Sequence, residues 1–362
     1  MEEVDNCSTV WKSNISVCCP FYVNSPEDGP CPGLQCYMVL EKREKTVIST
    51  ICFFAGPLTF LENVLVLCLI FFTPALRRKP SYLFISSLAL ADVFASLFFT
   101  ISFLDFHLFE RTDNAEVYLF KLGGVTLSFT SSVGSLLLTA LDRYICMHRP
   151  SEYKTILTRR RALACLTALW MTTIFIAFLP PLGWNCKTMD RPCSQLFPYV
   201  DHSYLACWII LVMFLLVLII YAYIHILWKA HKHVVYMAKH SIRPGHVRMR
   251  MDIRLARMFS LILAILVTCW FPVLAFMIVD FFHCLSREQK RAFAFWSTLC
   301  LVNSSVNPLI YALRSRDMRR VMLKVLSWCR GQRSYMEGSQ ESDMQQKPSN
   351  QETISERVEK QI

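Results

Sequence analysis

The chain has 362 residues, of which 54% are hydrophobic and 18% are charged. Soluble globular domains carry about 25% charged residues, so this composition excludes an ordinary soluble protein and indicates a membrane protein. The formal net charge of +11 would suggest nucleic acid binding in a soluble chain. Here the basic residues lie between apolar stretches, and we expect no nucleic acid partner.

Residues 1–45 precede the first apolar stretch. They begin with acidic residues rather than a basic start followed by an apolar core, so we expect no cleaved signal peptide. Asn6 and Asn14 each begin an Asn-X-Ser sequon, which predicts N-glycosylation of a segment outside the cell. We interpret this segment as an extracellular glycosylated tail.

Seven apolar stretches follow, and each is long enough for the helix of about 20 residues that crosses a bilayer. Lipid offers backbone groups no other partner, so all seven must be helices. The sequence therefore predicts an all-α membrane protein with a seven-transmembrane helix bundle over residues 46–313. The predicted spans cover residues of about 46–73, 81–106, 117–147, 160–182, 202–229, 253–281 and 290–313.

Lys and Arg concentrate in alternate connections. They are frequent after span one, between spans three and four, between spans five and six, and after span seven, whereas the other loops are nearly balanced. Basic loops stay on the cytosolic side. The pattern places the amino terminus outside and the carboxyl terminus in the cytosol.

Residues 314–329 alternate basic and apolar side chains, which predicts an amphipathic helix on the inner membrane surface, in contact with membrane lipid. Cys329 at its end is a candidate palmitoylation site, and an unmodified cytosolic thiol is the equal alternative. Residues 330–362 are rich in Ser, Gln, Glu and Lys, a composition typical of a disordered tail.

Asp92 lies in the middle of span two, where an ionisable residue is costly and by default functional. Ser132, Asn303 and Asn307 are the polar residues at a similar depth. These four side chains offer the oxygen ligands that a hard cation such as sodium prefers. A hydrogen-bond network without an ion is the alternative, and both interpretations stay open. We expect no other cofactor.

Three motifs occur in order on the expected spans: Asp142-Arg143-Tyr144, Cys269-Trp270-Phe271-Pro272, and the run from Asn307 and Pro308 to Tyr311. Together with Asn63 and Trp170 they resemble the signature of rhodopsin-like G-protein-coupled receptors over residues 46–328. Within that family the chain most resembles the cannabinoid receptors, with similar stretches at residues 79–84, 132–140, 227–231 and 311–315.

Some features distinguish the two types of cannabinoid receptor. The short amino terminus, the short third cytosolic loop and the Cys269 to Pro272 motif make the chain most similar to type 2. The spacing of Cys186 and Cys193 is more similar to type 1, and Trp296 stands where both types carry Cys.

The inward faces of the helices predict an outer cavity with aromatic and apolar walls, which suits a neutral amphiphile. Helix packing is the simpler explanation for any single aromatic residue. Val125 stands where amine receptors carry a carboxylate. The resemblance implies an arachidonoyl amide or glycerol ester as ligand, with His107, Thr126 and Ser297 as hydrogen-bond partners. The other predicted lining residues are Phe99, Phe103, Phe106, Phe129, Phe197, Tyr204, Trp208, Trp270, Val273, Met277, Phe293 and Cys300.

The resemblance also implies a switch. Pro272 removes a backbone hydrogen bond and kinks span six, Trp270 is expected to meet Phe129 and sense the ligand, and Arg143 is expected to pair with Asp252 at rest. The implied partners are a heterotrimeric G protein of the inhibitory class, which lowers adenylate cyclase activity, together with arrestin and receptor kinases at the plasma membrane. The residues assigned to coupling are Asp142, Arg143, Tyr144, Asp252, Trp270, Pro272, Asn307, Pro308 and Tyr311.

Cys186 and Cys193 face the oxidising side. Most receptors of this family join the outer loop to span three, but Tyr118 replaces that cysteine. A bridge between Cys186 and Cys193 is then the most economical pairing, and pairing with Cys31 or Cys36 of the outer tail is the alternative.

Other functions fit the sequence less well. An enzyme would need a nucleophile with its base or a metal motif, and neither is present in the sequence. A retinal receptor would need a Lys within the apolar part of span seven, and residues 292–313 contain none. A receptor for another bioactive lipid is the nearest alternative. A membrane transporter is a more distant one, because repeated halves and broken helices are missing.

Overall fold

The computed structural model describes residues 37–109, 113–186, 193–239, 246–283, 285–314, 318–324 and 327. Within these ranges the chain forms seven long helices, in the order that the hydropathy predicts. Their bounds are α1 Lys42–Phe72, α2 Pro80–Phe103, α3 Ala115–His148, α4 Arg159–Ala177, α5 His202–Lys239, α6 His246–Phe282 and α7 Arg287–Arg314.

Six of these helices, in the described part of the chain, are long and apolar enough to cross a membrane. The seventh, α7, has 28 residues, and its outer turn carries Arg287, Glu288, Lys290 and Arg291. Large apolar side chains on the outside of the bundle are exposed, such as Phe54 at 68% and Ile210 at 68%. Such a surface suits lipid rather than water.

Local sequence explains where the helices begin. The Asn114 side chain accepts a hydrogen bond from the Val117 N–H at 3.1 Å and caps α3, and Pro80 occupies the first turn of α2. A capping box between Glu41 and Glu44 starts α1. Helix α1 therefore begins at Lys42, earlier than the predicted residue 46, because this polar signal extends the helix beyond the apolar stretch.

The predicted span four, about residues 160–182, is helical to its end but contains a break. Helix α4 ends at Ala177, and Leu179–Leu182 forms a separate helical turn. Pro180 and Pro181 explain the break, because proline lacks the N–H that would continue the helix. Span two also changes form at its outer end, where Leu104–Leu108 is a π-helix.

Helix α3 is central and packs against α2, α4 and α5. Gly124 permits a close approach of α2, since a Cβ atom at this position would collide with the Phe98 ring. The helices α5 and α6 continue beyond their predicted cytosolic ends, to Lys239 and from His246. Residues 318–324, in the second compact unit of the chain, are helical, as the amphipathic pattern predicts.

Candidate functional site

A cavity of about 210 Å³ opens between the outer halves of the helices. The structure places every residue predicted to bind a ligand in its wall, from Phe99 on α2 to Cys300 on α7. Their binding of a ligand stays a prediction. Sequence reasoning missed other wall residues, which are Tyr37, Val39, Ser102, Asp113, Tyr118, Lys121, Leu122, Gln195, Leu196, Pro198, Val200, Leu205, Lys290 and Ala294.

A column of aromatic rings forms the base of the cavity. Phe129 of α3 contacts Phe99 at 5.9 Å and Trp270 at 5.5 Å between ring centroids, and both pairs are edge-to-face. The predicted contact between Trp270 and Phe129 is therefore present. Trp270 is 3% exposed, so a ligand reaching this depth would press on α6 directly.

The upper wall is also aromatic. The Phe197 ring of the outer loop meets the Phe293 ring of α7 at 5.5 Å and an interplanar angle of 88°. On α5, the Trp208 indole N–H donates to the Thr130 hydroxyl at 2.9 Å, and the Tyr204 hydroxyl donates to the Ile176 carbonyl at 3.1 Å. Hydrogen bonds to neighbouring helices thus fix the polar ends of both rings, and their apolar faces line the cavity.

Three polar atoms of the cavity wall are buried without a hydrogen-bond partner among the described residues: the Ser102 hydroxyl oxygen, Nδ1 of His107 and Nε1 of Trp270. A buried polar group without a partner costs about 1–3 kcal/mol. A small polar group placed near the outer end of α2 would supply a partner for Ser102 and His107, whereas Trp270 lies at the base of the cavity. The predicted partner Ser297 already donates to the Ala294 carbonyl at 2.9 Å, so its oxygen is left to accept.

The cavity contains more charge than the sequence pattern predicts. Lys121 forms ion pairs with Asp105 at 2.6 Å and with Asp113 at 2.7 Å. The Lys290 ammonium lies 6.0 Å from the centroid of the Tyr37 ring. Lys121 lies four residues before Val125, and Lys290 lies three residues before Phe293, so both extend the predicted faces toward the outer helix ends. Their ionic and aromatic partners lie on separate segments of the chain, and the sequence pattern does not show those contacts.

Tyr37 precedes α1 and joins the cavity wall to the outer loop. Its hydroxyl donates to the Ser194 carbonyl at 3.2 Å. Burial, together with the negative charge of Asp280, raises the pKa of the Tyr37 phenol to about 12. The hydroxyl therefore keeps its proton, and acts as a donor, throughout the physiological range.

The outer loop contains the predicted bridge. Cys186 and Cys193 form a disulfide, with their Cα atoms 6.1 Å apart. The alternative pairing with Cys31 or Cys36 does not occur, and both of those cysteines lie outside the described residues. Two isolated β-bridges, Asn185 with Val200 and Cys193 with Asp201, order the same loop.

Asp92 is fully buried. Its two carboxylate oxygens accept hydrogen bonds from the Ser132 hydroxyl at 2.9 Å and the Asn307 amide at 2.8 Å. Ser304 is a further partner, whereas the described residues show no bond between Asp92 and Asn303. On α7 the hydrogen-bond partner of Asp92 is thus Ser304 rather than its neighbour Asn303, because successive helix residues point about 100° apart. The predicted sodium set of Asp92, Ser132, Asn303 and Asn307 stays a prediction.

The Asp92 cluster fits either interpretation left open by the sequence. The carboxylate and the hydroxyl oxygens of Ser132 and Ser304 suit a sodium ion, and the observed hydrogen bonds also satisfy the carboxylate alone. Sodium binding stays a prediction.

Arg143 near the carboxyl end of α3 pairs with the adjacent Asp142 and donates to the Ser81 hydroxyl at 2.5 Å. Asp142 also accepts a hydrogen bond from the Tyr153 hydroxyl at 2.6 Å. Burial and the bond to Asp142 raise the pKa of Tyr153 to about 12. Sequence reasoning missed Ser81 and Tyr153, since neither belongs to the signature motif.

Several predicted sites cannot be placed. The side chains of Asp252 and Tyr311 lie outside the described residues, and so do Asn6, Asn14 and Cys329. The ion pair between Arg143 and Asp252 therefore stays a prediction.

Comparison with known proteins identifies the family. Residues 62–311 match the model of the 7 transmembrane receptor family, rhodopsin family. Cannabinoid receptor 2 of Homo sapiens is 52% identical over 285 residues, which cover 78% of this chain and 79% of that protein. Cannabinoid receptor 1 of Taricha granulosa is 47% identical over 332 residues, which cover 88% of this chain and 70% of that protein. The chain belongs to the rhodopsin family of seven-transmembrane receptors and, within it, to the cannabinoid receptors.

Proposed function

We propose that the chain is a plasma-membrane receptor, with its amino terminus outside, for neutral arachidonoyl lipids. These are the amides and glycerol esters that act as endocannabinoids. One observation carries the proposal: the deep wall of the cavity is aromatic and apolar, with Val125 where a cationic ligand would need a carboxylate. Burial of a long apolar chain against such a wall is favourable by about 25 cal/mol per Å².

The polar head group of the lipid is proposed to bind near the outer end of α2. His107 and Ser102 have unpartnered polar atoms there. Ser297, whose hydroxyl hydrogen is used within α7, can accept a hydrogen bond from the ligand's N–H or O–H group. Thr126 also lies in the wall and is the remaining predicted partner.

The arachidonoyl chain is proposed to act on α6 through Trp270. This ring packs against Phe129 of α3 and lies two residues before Pro272, at which α6 lacks a backbone hydrogen bond. A ligand that displaces either ring changes the packing between α3 and α6. The cytosolic half of α6 can then swing outward about the proline.

The cytosolic response is proposed to pass to a heterotrimeric G protein of the inhibitory class, which lowers adenylate cyclase activity. The outward movement of α6 would separate Asp252 from Arg143 and open a basic cavity. The inhibitory class, and later binding of receptor kinases and arrestin, rest on the resemblance to cannabinoid receptors. The same holds for palmitoylation of Cys329 and for glycosylation of Asn6 and Asn14.

Sodium is proposed as an allosteric modulator at Asp92. The oxygen donors of Asp92, Ser132 and Ser304 would hold it, and the ion would supply positive charge that stabilises the buried carboxylate. If sodium binds there, raising its concentration at constant ionic strength should lower agonist affinity in the wild type and have no effect in Asp92→Asn. Equal sodium responses in both proteins would contradict this proposal.

A receptor for a different bioactive lipid is the second candidate. Lys290 favours it, because a cation in the wall near the cavity mouth would pair with an acidic head group. Arachidonoyl ethanolamide and arachidonoyl glycine have the same chain and differ in head-group charge. Tighter binding of the acid, lost in Lys290→Gln, would favour the second candidate.

The main proposal is tested by equilibrium binding of a radiolabelled arachidonoyl ethanolamide analogue to the full-length receptor in nanodiscs. Saturable binding that the glycerol ester displaces, and an arachidonoyl amine does not, would support it. Absence of saturable binding by a correctly folded receptor would contradict it.

A further inference from the structure

The outer loop after Cys193 is bonded directly to the outer end of α6, and the bonds converge on Asp280. This carboxylate is 2% exposed. One oxygen accepts the Ser194 hydroxyl at 2.6 Å, and the other accepts the Gln195 backbone N–H at 3.0 Å. A buried carboxylate is tolerated only when hydrogen bonds replace its water, so the loop and Asp280 depend on each other.

A second set of bonds involves the Gln195 side chain. Its amide nitrogen donates to the His283 carbonyl at 3.3 Å, and its amide oxygen accepts the Leu285 N–H at 3.0 Å. These partners lie just beyond the end of α6. The loop therefore holds the last turn of α6 and the chain that leaves it.

The Ser194 hydroxyl connects these bonds to the cavity wall. It gives its hydrogen to Asp280, and its oxygen accepts the N–H groups of Leu196 at 3.2 Å and Phe197 at 3.1 Å. This use of one donor and two lone pairs exhausts the bonding capacity of a hydroxyl. The position of the Phe197 ring against Phe293 is thus set by the same group that Asp280 holds.

The other end of this loop is also restrained. The disulfide fixes Cys193 to Cys186, and the ring nitrogen Nε2 of His202 lies 2.6 Å from the Cys193 carbonyl. With Cys193 held on one side and Ser194 held by Asp280 on the other, the loop has little freedom to move without α6.

We propose that Asp280 is a positioning residue that makes the outer loop and the outer end of α6 move as one body. A ligand that contacts Phe197 then acts on the outer end of α6 through the loop and Asp280. The inference rests on the proposed function, since it concerns the same cavity. The bonds to Asp280 give the ligand a second contact with α6, distinct from the contact at Trp270. They also make the loop a barrier to dissociation, because the loop must separate from α6 before the ligand leaves.

The test compares Ser194→Ala and Asp280→Asn with the wild type, as full-length receptors in nanodiscs, using a radiolabelled arachidonoyl ethanolamide analogue. Each variant should release the ligand about tenfold faster, because a bond to a charged group is lost. Each should also reduce maximal ligand-stimulated nucleotide exchange on the G protein and leave basal exchange unchanged. The double variant should lose less than the sum of the two single losses, because both substitutions disturb the shared bond between Ser194 and Asp280.

Two further variants separate positioning from general loss of structure. Ser194→Thr keeps the hydroxyl and should restore the wild-type dissociation rate. Asp201→Asn removes a carboxylate of the same loop that bonds the Ser203 N–H and the Trp184 indole rather than α6, and it should behave as the wild type does. If Asp280→Asn fails to fold, the dissociation rates of Ser194→Ala and Ser194→Thr still show whether the Ser194 hydroxyl holds the loop on α6.

The outcomes also separate this inference from the proposed function. A wild type without saturable lipid binding would overturn the proposed function. Binding by the wild type with equal dissociation rates in Ser194→Ala, Ser194→Thr and wild type would overturn the inference alone. Fully additive effects of Ser194→Ala and Asp280→Asn on the dissociation rate would also overturn the inference alone.

Discussion

Removal of the Phe293 ring should weaken ligand binding by about 30-fold. The side chain is 9% exposed, lines the cavity and packs edge-to-face on Phe197. Full burial of a Phe side chain is worth about 1.5–3 kcal/mol, and a ligand covers only part of the ring, which gives about 1–1.5 kcal/mol. Without this partner the Phe197 ring has to be ordered by the ligand, which costs about 0.5–1 kcal/mol more. The sum, about 2 kcal/mol, corresponds to the 30-fold change in Kd.

The assay is saturation binding of the arachidonoyl ethanolamide analogue to Phe293→Ala and to a matched control, Phe295→Ala. Phe295 lies on the same helix, is half-buried and is not part of the cavity wall. The control should bind with wild-type affinity. Unchanged affinity in a well-expressed Phe293→Ala receptor, or an equal loss in both variants, would refute the assignment of the cavity.

Three further changes test other parts of the account. Val125→Asp should abolish neutral-lipid binding, because it places an unpaired carboxylate in an apolar wall; retained affinity would show that the cavity is misplaced. Asp252→Asn should raise basal nucleotide exchange about tenfold by releasing the resting ion pair with Arg143, whereas Arg143→Ala should abolish coupling and preserve binding. Unchanged basal exchange in a normally expressed Asp252→Asn receptor argues against this ion pair. Cys186→Ser and Cys193→Ser should each weaken lipid binding, and the double variant should match either one, since all lose the same bond; additive losses would show separate roles.

Much of the fold follows from local features of the sequence. The seven helices were predictable because the bilayer demands long apolar stretches. The orientation that the loop charges indicate stays a prediction. The cavity wall was predictable for a related reason. Residues three and four apart share one face of a helix, so Phe99 and Phe103 had to point together once their helix was known.

Contacts between distant segments were not predictable in this way. The bond from Ser194 to Asp280 joins residues 86 positions apart, and no periodicity relates them. The same is true of Tyr153 with Asp142, where the loop must fold back on α3. The hydrogen-bond partners of Asp92 show another limit. Ser304 rather than Asn303 is its further partner on α7, because a pattern of polar residues alone does not fix helix rotation to one position.

The helix ends show a third kind of limit. The start of α1 at Lys42 depends on the capping box of Glu41 and Glu44, and the end of α4 depends on Pro180 and Pro181. Both signals are visible in the sequence, but hydropathy alone does not register them. Local capping and proline signals should therefore take precedence over the length of an apolar stretch.

Ligand-stimulated nucleotide exchange on an inhibitory-class G protein, reconstituted with the full-length receptor, tests the central claim most directly. Arachidonoyl ethanolamide and an arachidonoyl amine share one apolar chain and differ in charge. The account predicts that the neutral lipid stimulates exchange and the amine does not. Stimulation by the amine, or no response to the neutral lipid, would contradict it.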